Sequence, residues 1–199
     1  MPDAAAPAPS GRPRDTRIDD AVLAATRALV AEVGYADLTF RAIADRAETS
    51  VPAIRRRWKS KAHLVHEAVF PADVAAEPTE DGSLHSVLRA IVKRCVEVVG
   101  SPAGRRATPG LISELMADPA LEEELSARLR TNVWDHLAAQ FAGAVERGEA
   151  RSDLDISICV ETVFGATLAA VVLRGPAAVD EAWIDQFVST LADGLATHP

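Results

Sequence analysis

The chain has 199 residues, 48% hydrophobic and 25% charged, with a net charge of −8; this is ordinary globular composition, able to bury a core without staples, and it excludes a disordered or collagen-like chain. Abundant alanine and only 5% aromatic residues favour helix over sheet. Two cysteines, Cys95 and Cys159, each inside an apolar helical pattern, read as buried thiols in a reducing compartment and exclude a disulfide scaffold.

Residues 1–14 are rich in Pro and Ala, lack the apolar stretch of a signal peptide, and read as a disordered arm. Residues 15–71 read as a first domain. Ile18, Val22, Ala25, Leu29 and Val33 recur at helical spacing and predict a first helix stopped by Gly34. Thr39 caps a short second helix carrying Phe40, Ile43, Ala44 and Ala47. Ser50 caps a third, with Val51, Ile54 and Trp58 inward, and Ser60 a fourth that Pro71 ends.

Residues 72–82 read as a linker, and 83–199 as a second helical domain. Ser83–Val99 is periodic, and breaks fall at Ser101-Pro102 and Asp118-Pro119. Leu121–Glu146 predicts a long amphipathic stretch, followed by helices over Ile156–Leu173 and Ala182–Leu195 separated by Gly175-Pro176. No alternating strand pattern occurs, so the expected fold is all-α. The longest apolar run, Val163–Leu173, falls short of the ~20 residues a membrane span needs, so no membrane partner is expected.

Charge is unevenly spread. The first 67 residues carry 11 Lys and Arg against 9 Asp and Glu, and the remainder carries 10 against 20. Arg55, Arg56, Arg57, Lys59 and Lys61 fall within seven positions. A basic run beside an acidic body suits a nucleic-acid-binding head on a separate domain.

The strongest signal is residues 39–58, TFRAIADRAETSVPAIRRRW: two short helices with a three-residue turn, the pattern of a helix-turn-helix. Residues advance about 100° around a helix, so with Ile54 inward Arg56 lies about 200° away and faces out, with Pro52 on the same side. Arg55 flanks that face, and Arg57 falls nearer the buried side. Arginine in a major groove prefers the two acceptors of guanine. Lys61 at a helix N-terminus opposes the helix dipole, a placement a phosphate would compensate. The expected double-stranded DNA contacts are Thr39, Arg41, Ser50, Val51, Pro52, Ala53, Arg55, Arg56, Lys59 and Lys61.

Residues Thr16 to about Phe70 resemble the DNA-binding domain of TetR-type transcriptional repressors, through Gly34-Tyr35, Leu38-Thr39, Ile43-Ala44 with Arg46-Ala47, and Trp58-Lys59-Ser60-Lys61 with Leu64. A weaker likeness runs through Ser101-Pro102-Ala103-Gly104-Arg105 and Gly148-Glu149 to Asp155. Three features depart from the family pattern: Glu48 stands where glycine is usual, Arg55 where tyrosine is usual, and Val51-Pro52 where lysine and glycine are frequent.

The resemblance implies a homodimer paired through its last two long helices, for which Gly165, Ala169, Trp183, Phe187 and Leu191 are candidates. It also implies a pocket for a small-molecule effector, with Cys95, Leu111, Leu115, Met116, Trp134, Phe141 and Phe164 as candidate lining, and release of operator DNA on ligand binding. The expected location is cytoplasmic. No glycine-rich phosphate loop or nucleophile motif is present, and His63 and His66 lack a third ligand, so no catalytic residue, metal or cofactor is expected. A helical ligand-binding or interaction module without DNA binding is the competing reading.

Overall fold

The computed structural model describes residues 16–71, 82–129 and 135–195. The expected N-terminal arm and nearly all of the expected linker lie outside the described residues. Among the described residues the fold is all-α, as anticipated, with no strand.

Helix α1 (Thr16–Asp37) changes direction at Gly34, whose φ of 86° is the left-handed backbone that glycine permits. It is followed by α2 (Phe40–Arg46), α3 (Val51–Arg55) and α4 (Lys61–Val69). Thr39, Ser50 and Ser60 cap these three, each side-chain oxygen accepting from the backbone N–H three residues on. Val22, Val30, Ile43, Ile54 and Leu64 form the centre of this head, none more than 1% exposed.

The body consists of α5 (Leu84–Gly100), α6 (Pro102–Ala117), α7 (Pro119–Leu129), α8 (Asp135–Glu146), α9 (Ile156–Arg174) and α10 (Glu181–Leu195), with a 3₁₀ turn at Pro176–Ala178. The sequence Ser101-Pro102 separates α5 from α6 cleanly: Ser101 caps α6 and Pro102 takes its first turn, where no N–H is needed. Gly104 allows this corner to close, because a Cβ there would meet the Val98 carbonyl oxygen at 2.0 Å. The stretch expected as one long helix is described as α7 and α8, with residues 130–134 outside the description.

Helix α9 agrees with the expected helix to within one residue. At 19 residues it is long and apolar enough, by length and composition, to cross a membrane. One side of it (Cys159, Val163, Thr167, Ala170 and Val171) is buried in the bundle. The opposite side leaves Ile158, Thr162, Gly165, Ala169 and Val172 exposed.

Head and body form a joint. Helix α1 packs most extensively on α6 and also on α4 and α2. The Tyr35 ring lies against Gly110 of α6 so closely that a Cβ there would meet the ring at 2.2 Å. A guanidinium nitrogen of Arg106 donates to the Glu32 carbonyl at 2.8 Å.

The turn between α2 and α3 holds Glu48 at φ 50°, the only described non-glycine residue with positive φ. Left-handed backbone costs an L-residue about 1–2 kcal/mol. Glu48→Gly is therefore expected to raise stability by up to about 1 kcal/mol, and Glu48→Val to lower it by about 1–2 kcal/mol, because branching at Cβ makes that backbone still worse. Urea denaturation of the two variants checks this; the reverse order would show the turn to be unstrained.

Candidate nucleic-acid interface and cavity

In α3, Ile54 is 1% exposed and Trp58, just beyond the helix, 4%. These two anchors fix the rotation of the segment. Pro52, Arg55 and Arg56 are exposed, while Val51, Ala53 and Arg57 are half-buried. Arg56 stands at the C-cap, where its backbone N–H still bonds to the Pro52 carbonyl. Arg55 lays its guanidinium over the Phe40 ring, 4.9 Å from the centroid, so the aromatic of α2 orients the arginine. Arg57 turns back to pair with Asp19 of α1 and clamps α3 to the head.

The remaining residues expected at DNA sit as follows. Thr39 and Ser50 are exposed at helix starts, with hydroxyls already accepting from Ala42 and Ala53. Arg41 is exposed and paired with Asp45 at 3.0 Å, a solvated contact of little energetic weight. Lys59 is exposed and leans 3.4 Å from Glu124.

Lys61 has partners within the chain. It is half-buried, its Nζ donating to the Tyr35 carbonyl at 2.9 Å and lying 4.3 Å from that ring's centroid. Its charge is compensated by a carbonyl and a π-face at the end of α1, so no phosphate is needed to explain it. It is a joint residue: the same Tyr35 ring contacts Gly110. Burial first, and the neighbouring Glu114 carboxylate second, push the Tyr35 phenol above its ordinary range, keeping it neutral.

A cluster missed in the sequence links α4 to α7. His63 is buried, with Nδ1 2.8 Å from Ser60 Oγ and Nε2 3.0 Å from Glu124 Oε2. The Trp58 indole N–H donates to Glu67 at 3.1 Å, and Arg128 of α7 lies 3.5 Å from the same carboxylate. The histidine pair at i, i+3 is split: His63 faces α7, and His66 faces a cavity.

The cavity, about 340 Å³, lies where α4 meets the body. Cys95, Leu111, Leu115 and Phe164, all named from the sequence, line it. Phe141 does not: it is 1% exposed in the core of α5, α8, α9 and α10. Met116 does not either, being 83% exposed, because the phase of α6 turns it outward. Trp134 lies outside the described residues. The lining also includes His66, Phe70 and Pro71 from the head, Arg94 from α5, Thr108 from α6 and Glu161 from α9. Pro71 had been legible only as a helix stop, and which side of α4 His66 occupies depends on the body's packing.

Of the residues named for subunit pairing, Gly165 and Ala169 are exposed on α9. Trp183, Phe187 and Leu191 are half-buried on α10 against the chain's own core, with the Trp183 and Phe187 rings 4.9 Å apart. Helix α10 packs on α5, and its Glu181 and Asp185 are held by Arg89 of that helix.

Comparison with known proteins places this geometry in context. Residues 22–68 match the family described as bacterial regulatory proteins, tetR family, and residues 78–191 match the tetracyclin repressor-like C-terminal domain. A helix-turn-helix-type transcriptional regulator of Bacillus subtilis, YdeS, is 26% identical over 189 residues, covering 93% of each chain. Another, Mb1581 of Mycobacterium bovis, is 33% identical over 142 residues, covering 70% of this chain and 67% of its own. Salmonella enterica GusR shares the fold at a TM-score of 0.66 and 21% identity, covering 94% of this chain and 98% of its own.

His66 supplies a pH prediction. Burial first, then the charges of Arg128 and His63, push its imidazole down to about 4 from the usual 6.5. A group with a depressed folded-state histidine value binds its proton more readily when unfolded. Its stabilising effect is complete above pH 6.5 and is lost as pH falls from 6.5 towards 4, by about 3 kcal/mol at most. His66→Phe is expected to flatten the stability curve over that window. Denaturation midpoints at pH 7, 5.5 and 4.5 check this; parallel wild-type and variant curves would contradict it.

Proposed function

Because the chain belongs to the TetR family of transcriptional regulators, we propose that it is a repressor: a homodimer that binds a palindromic operator and releases it when a small molecule occupies the cavity. One observation carries this reading: α3 is held from inside by Ile54 and Trp58 while Pro52, Arg55 and Arg56 stand together in solvent. Such a face fits a major groove, with Arg56 aimed at a guanine edge and Arg55 at phosphate or base, steadied by Phe40. Thr39, Arg41, Ser50 and Lys59 line the approach as backbone contacts. Two-fold pairing supplies the second head one helical turn of DNA away.

Support for pairing comes from α9. Its outer stripe of Ile158, Thr162, Gly165, Ala169 and Val172 is apolar with small central residues that let a twin helix approach closely. Support for ligand release comes from the cavity walls, which are built from the head's α4 and from α5, α6 and α9 together. A molecule filling that space contacts the head and the pairing helix at once, and so shifts the balance between their arrangements.

Two outcomes test the reading on DNA flanking the protein's own gene. Arg56→Ala is expected to cost about 1–3 kcal/mol of specific binding in footprinting at fixed salt, and Arg57→Ala less, since Arg57 is engaged with Asp19. Equal losses, or no footprint from the wild-type protein, would refute the assignment. Ala169→Glu is expected to give a folded monomer in light scattering whose operator affinity falls at least about tenfold. A wild-type chain that is monomeric and floats with lipid vesicles would assign the α9 stripe to a membrane instead.

A further inference from the structure

The cavity is chemically selective in a way that neither the family match nor the relatives' names specify. Its walls are almost wholly apolar, from Ile91, Val98, Leu111, Leu115, Val163 and Phe164. The polar groups that reach it are few and balanced. Arg94 on α5 lies 3.5 Å from Glu97 of the same helix, and Glu161 on α9 adds a carboxylate to the lining, so a charged ligand that pairs with one sign meets the other nearby. Cys95 is a neutral thiol, pushed up to about 11 by burial, and is not a reactive nucleophile. The Thr108 hydroxyl donates its hydrogen bond to the Gly104 carbonyl, so it has no donor left for a ligand.

That leaves His66. Its ring is tilted against Phe70, 5.9 Å between centroids, on the part of α4 that borders the cavity. A neutral imidazole offers one donor and one acceptor. Arg128 of α7, beside Glu67, and His63, beside Glu124 and Lys59, are the charged and titratable groups around it, and the cations among them disfavour a proton on its ring.

We propose that the cavity takes an uncharged, predominantly hydrocarbon molecule of about a dozen non-hydrogen atoms with one hydrogen-bonding group, which meets the His66 imidazole at the end of α4. The apolar body lies between α5, α6 and α9, and the polar end touches the head. A carboxylate or an ammonium is disfavoured because it must be desolvated in a mostly apolar lining where Arg94 is already paired with Glu97 and Glu161 opposes an anion. The proposal rests on the reading of the chain as a ligand-controlled regulator.

Three ten-carbon probes of one length, decan-1-ol, decanoate and decylammonium, test it on the full chain at pH 7 by calorimetric titration and by shift of the thermal midpoint. Decan-1-ol is expected to bind at least about tenfold more tightly than either ion. Leu115→Trp, which fills the space, is expected to abolish binding while the protein still unfolds cooperatively. His66→Phe is expected to weaken decan-1-ol about fivefold. Equal or tighter binding of decanoate or decylammonium overturns the proposal, and so does undiminished decan-1-ol binding by Leu115→Trp. Gel shift with the same probes separates the two readings. Decan-1-ol binding without operator release supports the ligand class and overturns ligand-controlled release. Operator release by decanoate alone overturns the ligand class and leaves ligand control standing.

Discussion

The molecule turns on the contact between the Tyr35 ring and the backbone of Gly110. Tyr35 stands just past the bend that Gly34 makes in α1, with the Lys61 ammonium against one part of its ring and α6 against another. One side chain thereby gathers α1, α4 and α6. The absence of a Cβ at residue 110 makes the approach possible, since even a methyl group would overlap the ring. Arg106, reaching the Glu32 carbonyl, and Glu124, facing His63 and Lys59, bring body side chains to the same head. A head tied at so many points moves with the body and not independently of it.

Helix α6 touches both the head and the cavity. Gly110 and Glu114 face Tyr35, while Thr108, Ile112 and Leu115 face the cavity. Pro109 sits between these two sets, inside the helix. Proline has no N–H, so the Arg105 carbonyl loses its usual helical partner, and the helix is locally softened where both contacts are made. Packed interiors switch between discrete arrangements more readily than they deform smoothly. A soft point between a filled or empty cavity and a tight aromatic contact is suited to that kind of change.

Local chemistry was the legible part of the sequence. The caps Thr39, Ser50 and Ser60, the bend at Gly34 and the inward pair Ile54 and Trp58 follow from hydrogen-bonding needs and helical period within a few residues, and the structure has them where the sequence places them. What the sequence left open depends on how helices rotate against one another. Phe141 and Met116 both lie on helical patterns with apolar neighbours, yet one is buried core and the other is in solvent. Lys61 reads as a phosphate ligand until the Tyr35 carbonyl, 26 positions earlier, is seen to hold it. Trp183 and Phe187 also serve the packing of α10 on the chain's own core, which their spacing alone does not show. The cavity's most informative member, His66, is marked in the sequence only as half of a histidine pair, with nothing to say that it faces a cavity.

The charge distribution explains why pairing and recognition belong together on the proposed reading. The body, with 20 acidic residues against 10 basic, repels a phosphate backbone, so the approach of DNA is confined to the head. The head's excess of cations is small, and two of them, Arg57 and Lys61, are engaged with Asp19 and Tyr35. One head therefore releases few counterions and holds DNA weakly, and a second head adds to it only if the distance between them matches the helical repeat. An acidic body and a sparsely charged head thus make affinity depend on geometry more than on net attraction, and on the proposed reading geometry is what a molecule wedged between α4 and α9 would alter.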